Sequence, residues 1–324
     1  MSELGRWHII LGAGGAIGTP LAVRLVEHGV RLRTVSRRGR GPAQAENVRG
    51  DLTDAGDVLR VIEGGSTVFL LAGLPYDRRV WRVQWPNIMR NVVSACESKG
   101  ARLIFFDNVY MYGRVEGPMT EATAVRPSSA KGRVRAEIAA ILQDEIAAGR
   151  ITAMIARAAD FYGPHSERSS IPAIMVFGRL AAGKGAQVLA SADAKHSYTY
   201  TMDCARALHL LTEADDAFGQ VWHLPTARPA LTGREFVEIA ARELGVPARM
   251  SVTPGWLVRA GGVFSTLLRE VGEMLYQNEH EYIFDSSRFE RRFSFTPTPY
   301  EQGIRDTVRW MGRPEEQPPS PGVT

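Results

Sequence analysis

The chain reads as an α/β protein: a doubly wound parallel sheet followed by a smaller C-terminal lobe of mixed α/β structure. Three observations predict this. Strand-sized apolar runs alternate with amphipathic helical stretches through the first half of the 324 residues. A glycine-rich turn joins the first run to the first helix. Past Ala159 that rhythm gives way to shorter elements, punctuated by Gly163-Pro164, Gly183-Lys184-Gly185 and the turn residues of 226–229.

Taken in order, 7–11 is a buried strand and 16–28 an amphipathic helix. Residues 31–36 form a second strand ending in a basic loop, 47–50 a short third strand and 54–62 a helix. The stretch 67–71 is the next buried strand, followed by a long helix over 80–98. A fifth strand is expected at 103–106, a helix over 135–148 and a sixth strand at 152–155. Parallel strands need crossover connections, so strands separated by helices in this way argue for βαβ units with helices on both faces. Residues 203–212 and 220–224 supply a helix and a strand that return to the sheet. The expected sheet domain is therefore 1–160 with 203–225 returning to it, and the second lobe 161–202 with 226–313. The Pro-rich, polar residues 314–324 are expected to be a disordered tail.

At 44% hydrophobic and 23% charged residues, the composition is that of an ordinary globular protein. The apolar runs 68–73 and 103–106 are far too short to cross a bilayer. Residues 1–7 carry charge and lead directly into a strand, which argues against a signal peptide. The expected location is cytoplasmic, with no membrane partner. The net charge of +4 rests on basic residues that are overwhelmingly Arg, with Lys only at Lys99, Lys131, Lys184 and Lys195. No stripe of interleaved aromatic and basic residues points to nucleic acid. Cys96 and Cys204 lack ligand-spaced partners and read as buried free thiols. His165 and His196 are likewise lone histidines, so no metal site is expected.

Gly12-Ala13-Gly14-Gly15-Ala16-Ile17-Gly18 follows the first strand and opens the first helix, the fingerprint of a Rossmann dinucleotide site. Gly12 allows the tight turn, Gly15 lets the backbone approach a diphosphate, and Gly18 lets the helix pack closely on the sheet. The diphosphate then sits at the helix N-terminus, where free N–H groups favour negative charge. The end of the second strand chooses between cofactors, an acid there binding the ribose 2′-OH of NAD and Arg the 2′-phosphate of NADP. Here it reads Ser36-Arg37-Arg38 with no acid, so NADP is expected in preference to NAD. Asp51-Leu52 would lie near the adenine, and Leu71-Ala72-Gly73 would line the cofactor with small residues.

On these motifs the sequence resembles the extended short-chain dehydrogenase/reductase superfamily, whose members include epimerases and dehydratases. Met111-Tyr112-Gly113, Phe161-Tyr162-Gly163-Pro164 and the stretch from Tyr198 to Asp203 resemble further family motifs, over roughly residues 7–225. The resemblance implies a Tyr and a Lys four residues apart on one helix, assisted by a Ser or Thr. The Lys lowers the phenol's pKa so that Tyr can exchange a proton with substrate. In this chain the matching positions, counted from Glu137, hold Ser129 and Arg133, with Lys131 on a different helical face. The serine positions after the fifth strand hold Asp107-Asn108. Ordinary Tyr/Lys chemistry therefore does not carry over. Tyr110 is a candidate proton donor and Asn108 a substrate hydrogen-bonding group. Lys131 or Arg133 would stabilise negative charge or hold the nicotinamide ribose, and Asp107 would be a base or orient Tyr110. Tyr112, Tyr162 and Tyr198 are candidate substrate-lining residues.

The helix expected over 256–276, apolar on most faces, would cap the pocket through Met274 and Tyr276 or meet a partner chain; Trp81, Trp85 and Trp256 are expected as core or pocket wall. The resemblance also implies a homodimer through the helices 80–98 and 135–148. The leading functional expectation is an NADP-dependent oxidoreductase or epimerase/dehydratase-like enzyme acting on a small organic substrate. A non-redox isomerase, cyclase or lyase on the same fold, or a catalytically silent NADP-binding regulator, are the alternatives.

Overall fold

The computed structural model describes residues 5–167 and 169–312, so the tail expected over 314–324 lies outside the described residues. In chain order the first half contains β1 (Trp7–Leu11), α1 (Gly18–Glu27), β2 (Arg31–Ser36), β3 (Glu46–Arg49), α2 (Ala55–Val61), β4 (Thr67–Leu70), α3 (Arg78–Lys99), β5 (Arg102–Asp107), α4 (Ala130–Ala147) and β6 (Ala153–Arg157). The second half contains β7 (Asp160–Tyr162), α5 (Gly178–Ala181), β8 (Ala186–Leu189), β9 (Lys195–His196), β10 (Tyr198–Tyr200), α6 (Thr201–Thr212) and β11 (Val221–His223). It continues with β12 (Leu231–Thr232), α7 (Gly233–Leu244), β13 (Met250–Thr253), α8 (Gly255–Gly261), α9 (Thr266–Gly272), α10 (Tyr276–Glu279), α11 (Ser287–Phe293) and α12 (Tyr300–Met311).

Seven strands form one sheet in the order β11-β6-β5-β4-β1-β2-β3, and all six pairings are parallel. The strand order reverses direction at β1/β4, the crevice where ligands of doubly wound sheets bind. One face is covered by α2, α3 and α4, with Trp81, Trp85, Ile138 and Leu142 packed on Ile9, Leu70 and Phe105. The other is covered by α1 and α6, with Leu21, Leu25 and Leu208 against Ile10, Phe69 and Ile104. Burial on both faces explains why β4 reads as a continuous apolar run rather than an alternating one. A separate core in the C-terminal lobe joins Tyr162, Phe177, Phe236, Tyr300 and Ile304.

Three expectations are corrected. Helix α4 starts at Ala130, not 135, because the Ser129 side chain accepts from Gly132 N at 3.0 Å and caps it. The single helix expected over 256–276 is three short ones, α8, α9 and α10. Gly261-Gly262 ends α8, Ser265 caps α9 by accepting from Leu268 N, and Gly272 ends α9. Trp256 is 69% exposed rather than core or pocket wall, whereas Trp81 and Trp85 are buried. Cys96 and Cys204 are buried free thiols, and burial pushes the Cys96 thiol up to about 12. Among the described residues no helix is long and apolar enough to cross a membrane, and no group of three or more His, Cys, Asp or Glu is placed to hold a metal.

Candidate functional site

The glycine loop leaves β1 at the topological switch. Gly12 has φ +99°, and a Cβ there would stand 2.6 Å from the Ala72 backbone, so only glycine lets β1 and the end of β4 approach this closely. A Cβ on Gly18 would meet Gly12 O at 2.6 Å, which holds the first turn of α1 onto the loop. Gly14 and Gly15 differ: both are exposed, a Cβ on Gly14 would meet nothing, and one on Gly15 only an ordinary contact. Their outer side is open to a ligand. Ala16 and Ile17 are buried behind them, and Ile17 caps α1 without any side-chain hydrogen bond. Thr19 N donates to Gly15 O at 3.0 Å and Pro20 has no N–H, so the donors left for an anion are the amides of Ala16, Ile17 and Gly18 where the loop enters α1, the chemistry a diphosphate requires.

At the β2 terminus Arg37 and Arg38 are exposed, and Ser36 Oγ accepts from Arg40 N at 3.1 Å. Asp51 accepts from Thr53 N and Oγ1 at 2.9 and 2.8 Å, and these bonds hold its carboxyl below the usual range. Arg37 bears on the same carboxylate. Leu52 is half-buried beneath the loop, its carbonyl accepting from Asn91. Leu71, bonded through its N–H to Leu11 O, is buried; Ala72 is half-buried and Gly73 exposed.

The catalytic candidates are less uniformly placed. Asp107 is fully buried, paired with Arg135 (Nε at 2.7 Å) and 3.5 Å from Arg157 Nε. Two guanidiniums on one buried carboxylate suit a structural anchor and not a base. Asn108 spends its side-chain carbonyl accepting from Tyr110 N at 3.1 Å, which aims Tyr110. The Tyr110 ring stacks on Trp81 with centroids 6.4 Å apart, and its phenol lies beside that of Tyr76. Burial pushes the Tyr110 phenol well above its usual value. No lysine offsets this, because Lys131 is fully buried and paired with Glu270 and, at 2.7 Å, with Glu273 Oε1, both on or beside α9. Lys131 thus serves as a lock on the cap and not as a phenol activator. Arg133 is exposed, pointing away from that lock.

Of the predicted lining residues, only Tyr198 reaches this region. Tyr112 is buried in a relay: Arg157 donates to its Oη at 2.8 Å, and its O–H faces His223 Nε2 at 2.8 Å. Tyr162 is buried among Tyr200, Phe236 and Tyr300, its hydroxyl directly under Gly303.

The structure adds groups that sequence reasoning passed over. Strands β7 and β10 pair with Tyr198 opposite Asp160, and alternation places His196 on the same side as Tyr198, their rings 4.6 Å apart. His196 Nε2 stands 3.2 Å from Asp160 Oδ2. Burial raises the phenols of Tyr76, Tyr110, Tyr198, Tyr276 and Tyr282, and the Asp160 charge adds to the rise of each. Tyr276, expected to cap the pocket, lies beside Ser128 and Ser129, the latter at the position of the missing tyrosine. The only sequence signal for Asp160 was its place two residues before Tyr162-Gly163; nothing linked it to His196, 36 residues on.

Comparison with known proteins agrees with this architecture. The sequence profile of the NAD dependent epimerase/dehydratase family matches residues 8–224. Among solved structures, MoeE5 in complex with UDP-glucuronic acid and NAD is 22% identical, covers 95% of this chain and 99% of its own, and superposes with a TM-score of 0.77. DesIV, the dTDP-glucose 4,6-dehydratase from Streptomyces venezuelae with NAD and TYD bound, is 18% identical over 95% and 98% at 0.76. The UDP-glucose 4-epimerase of Thermus thermophilus in complex with NAD is 18% identical over 94% and 99% at 0.78. No curated protein matches the sequence significantly. With the glycine loop, the sheet order and the family profile in agreement, the chain belongs to the NAD dependent epimerase/dehydratase family.

Proposed function

We propose that the chain binds a nicotinamide dinucleotide along the C-terminal edge of its sheet and carries out oxidoreductase or epimerase/dehydratase-like chemistry on a small organic substrate under the C-terminal lobe. The observation that carries this reading is the α1 N-terminus, free of a side-chain cap behind a glycine loop that is open on its outer side. When bound, the nicotinamide supplies a hydride donor or acceptor. The chain's own residues do the remainder. The amides where the glycine loop enters α1 hold the diphosphate, Asp51 faces the adenine side, and Ala72 and Gly73 leave room beside β4. Tyr110 remains a neutral phenol, suited to donate a hydrogen bond to a substrate oxygen and not to act as a base.

Ser36, Arg37 and Arg38 support NADP over NAD, since a guanidinium pairs with a 2′-phosphate through two charge-assisted bonds. The solved relatives named above carry NAD, so the two forms must be separated by titration. In calorimetry with NADPH and NADH, Arg37→Ala/Arg38→Ala is expected to weaken NADPH by about tenfold or more, equivalent to at least ~1.4 kcal/mol, and to leave NADH nearly unchanged. Equal loss for both would remove the NADP assignment. The commitment of Lys131 to Glu270 and Glu273 favours a second reading, in which the cofactor is bound without redox turnover. That reading expects tight binding and no nicotinamide consumption with any alcohol or ketone.

A further inference from the structure

The turn that joins α8 to α9 carries the two most exposed large apolar side chains among the described residues, Phe264 at 93% and Val263 at 73%. Trp256 and Leu257 on α8, and Leu267 and Leu268 on α9, are exposed as well. Backbone bonds shape the turn: Val263 N donates to Ala260 O at 3.2 Å, Phe264 N to Gly261 O at 3.0 Å and Ser265 N to the same Gly261 O at 2.9 Å. A Cβ on Gly261 would meet Leu268 Cδ1 at 2.5 Å, so the glycine lets α9 fold back against α8. The result is a hairpin anchored at its outer ends. Helix α8 follows β13, which pairs with β8, and Glu270 and Glu273 tie α9 to the first residues of α3 and α4. Single apolar residues on a surface need no explanation, but a cluster at a projecting turn marks an interaction site.

Charge selects the occupant. The carboxylates of the cap are committed, Glu270 and Glu273 to Lys131, and Glu279 to Arg259 at 2.7 Å. Arg269 donates through Nε to Gly262 O at 3.1 Å, and no carboxylate pairs with it among the described residues. Arg79 and Arg82, exposed in the first turns of α3, are likewise without a carboxylate there, and the Arg78 amide beside them donates to Glu270 of α9. Arg259 and Arg269 line a hollow of about 520 Å³ together with Val263 and Leu268 of the hairpin. An apolar turn with guanidiniums behind it matches the surface of a bilayer, where acyl chains lie beneath anionic phosphates. A second copy fits less well, because a two-fold pairing through this patch would set uncompensated guanidiniums against their own counterparts.

We propose that the α8–α9 hairpin docks this chain on an anionic phospholipid membrane. Val263, Phe264 and Leu267 enter the acyl boundary, Trp256 lies at headgroup level, and Arg269, Arg79 and Arg82 meet the phosphates. The contact is with one leaflet only, since α8 and α9 have seven residues each. The proposal departs from the sequence expectation of no membrane partner, which rested on the shortness of the apolar runs; a hairpin divided by glycines leaves no long run to find. It is independent of the nicotinamide reading, because none of these residues belongs to the glycine loop.

Co-sedimentation of the full chain with lipid vesicles tests this. The parent protein is expected to partition onto phosphatidylcholine vesicles that contain phosphatidylglycerol, less onto phosphatidylcholine alone, and less again at high salt. Val263→Ser/Phe264→Ser changes two exposed side chains, so its melting temperature should match the parent's while its partitioning falls about tenfold or more. Arg79→Gln/Arg82→Gln is expected to lower partitioning onto the phosphatidylglycerol vesicles by about fivefold or more and to leave the phosphatidylcholine value unchanged. Failure of the parent to partition onto either vesicle would overturn the proposal. Parent-like partitioning of Val263→Ser/Phe264→Ser, or an undiminished preference for phosphatidylglycerol in Arg79→Gln/Arg82→Gln, would do the same. So would sedimentation velocity showing a dimer of the parent that Val263→Ser/Phe264→Ser dissolves, since the patch would then belong to a second copy.

Discussion

Asp107 illustrates how a residue's neighbours decide its role. Its place after β5, where the family has serine, suggests chemistry, yet it is fully buried beneath Arg135 and Arg157. Arg135 also lies over the Trp85 ring at 4.6 Å, so its charge is enclosed on every side by the core between α3 and α4. Breaking a buried ion pair from one side costs about 3–5 kcal/mol, because the other charge is left without a partner. In Arg135→Met the carboxylate still faces Arg157, so the larger loss belongs to Asp107→Asn, which strips both buried guanidiniums of their anion and is expected to lower the urea midpoint by that equivalent. A neutral effect of Asp107→Asn would contradict the assignment of Asp107 as an anchor.

The sequence of the cap shows why it is not one helix. Glycines at 261, 262 and 272 divide it, and the pieces α8, α9 and α10 are each too short to be stable alone. A small apolar cluster of Val258, Leu275 and Leu189 joins them to β8, and polar contacts tie them to the sheet domain. Glu270 accepts from Arg78 N at 3.0 Å and from Lys131, and Glu273 accepts from Ala130 N at 2.9 Å. Two carboxylates thus complement the N-termini of α3 and α4 as well as one buried ammonium. Glu270→Gln/Glu273→Gln is expected to speed backbone hydrogen exchange across 255–279 while leaving β1, β4 and β5 protected. Uniform exchange changes, or none, would show that the cap is held by its apolar contacts instead. The sheet elements were legible in the sequence because each buries a periodic apolar face against a neighbour close along the chain. The cap was not, since its partners Lys131 and Arg78 lie more than a hundred residues away and leave no periodic trace. The same holds for Asp160 and His196, whose meeting depends on β7 pairing with β10.

Across the whole molecule, three buried histidines couple stability to pH. Burial lowers His8 and His209 to about 4 and His223 to about 3, from an ordinary 6.5. For a histidine lowered in the folded state, the unfolded chain binds the proton more readily. Stability is then fully present above pH 6.5 and is lost as pH falls from there toward the folded values. At pH 5 the loss for His223 alone is about 2 kcal/mol, from about 1.4 kcal/mol per pH unit. Thermal melts are expected to fall steeply between pH 6.5 and 4.5, and less so in His223→Gln, which keeps a neutral polar group beside Tyr112. A melting temperature flat across that range would contradict the buried neutral state.

The claim on which the account depends is that the α1 N-terminus receives the diphosphate of a nicotinamide dinucleotide. Gly15→Asp tests it most directly, because the added Cβ makes only an ordinary contact with Gly12 O at 3.6 Å, and the carboxylate would sit where the diphosphate must. A negative charge at a helix N-terminus is itself favourable, so the variant should fold with an unchanged or higher melting temperature. Calorimetric titration with NADPH and NADH is predicted to show binding by the parent protein and at least a tenfold loss, about 1.4 kcal/mol or more, in Gly15→Asp. Equal affinity in the two proteins would contradict the account, because the dinucleotide would then bind elsewhere than at the glycine loop.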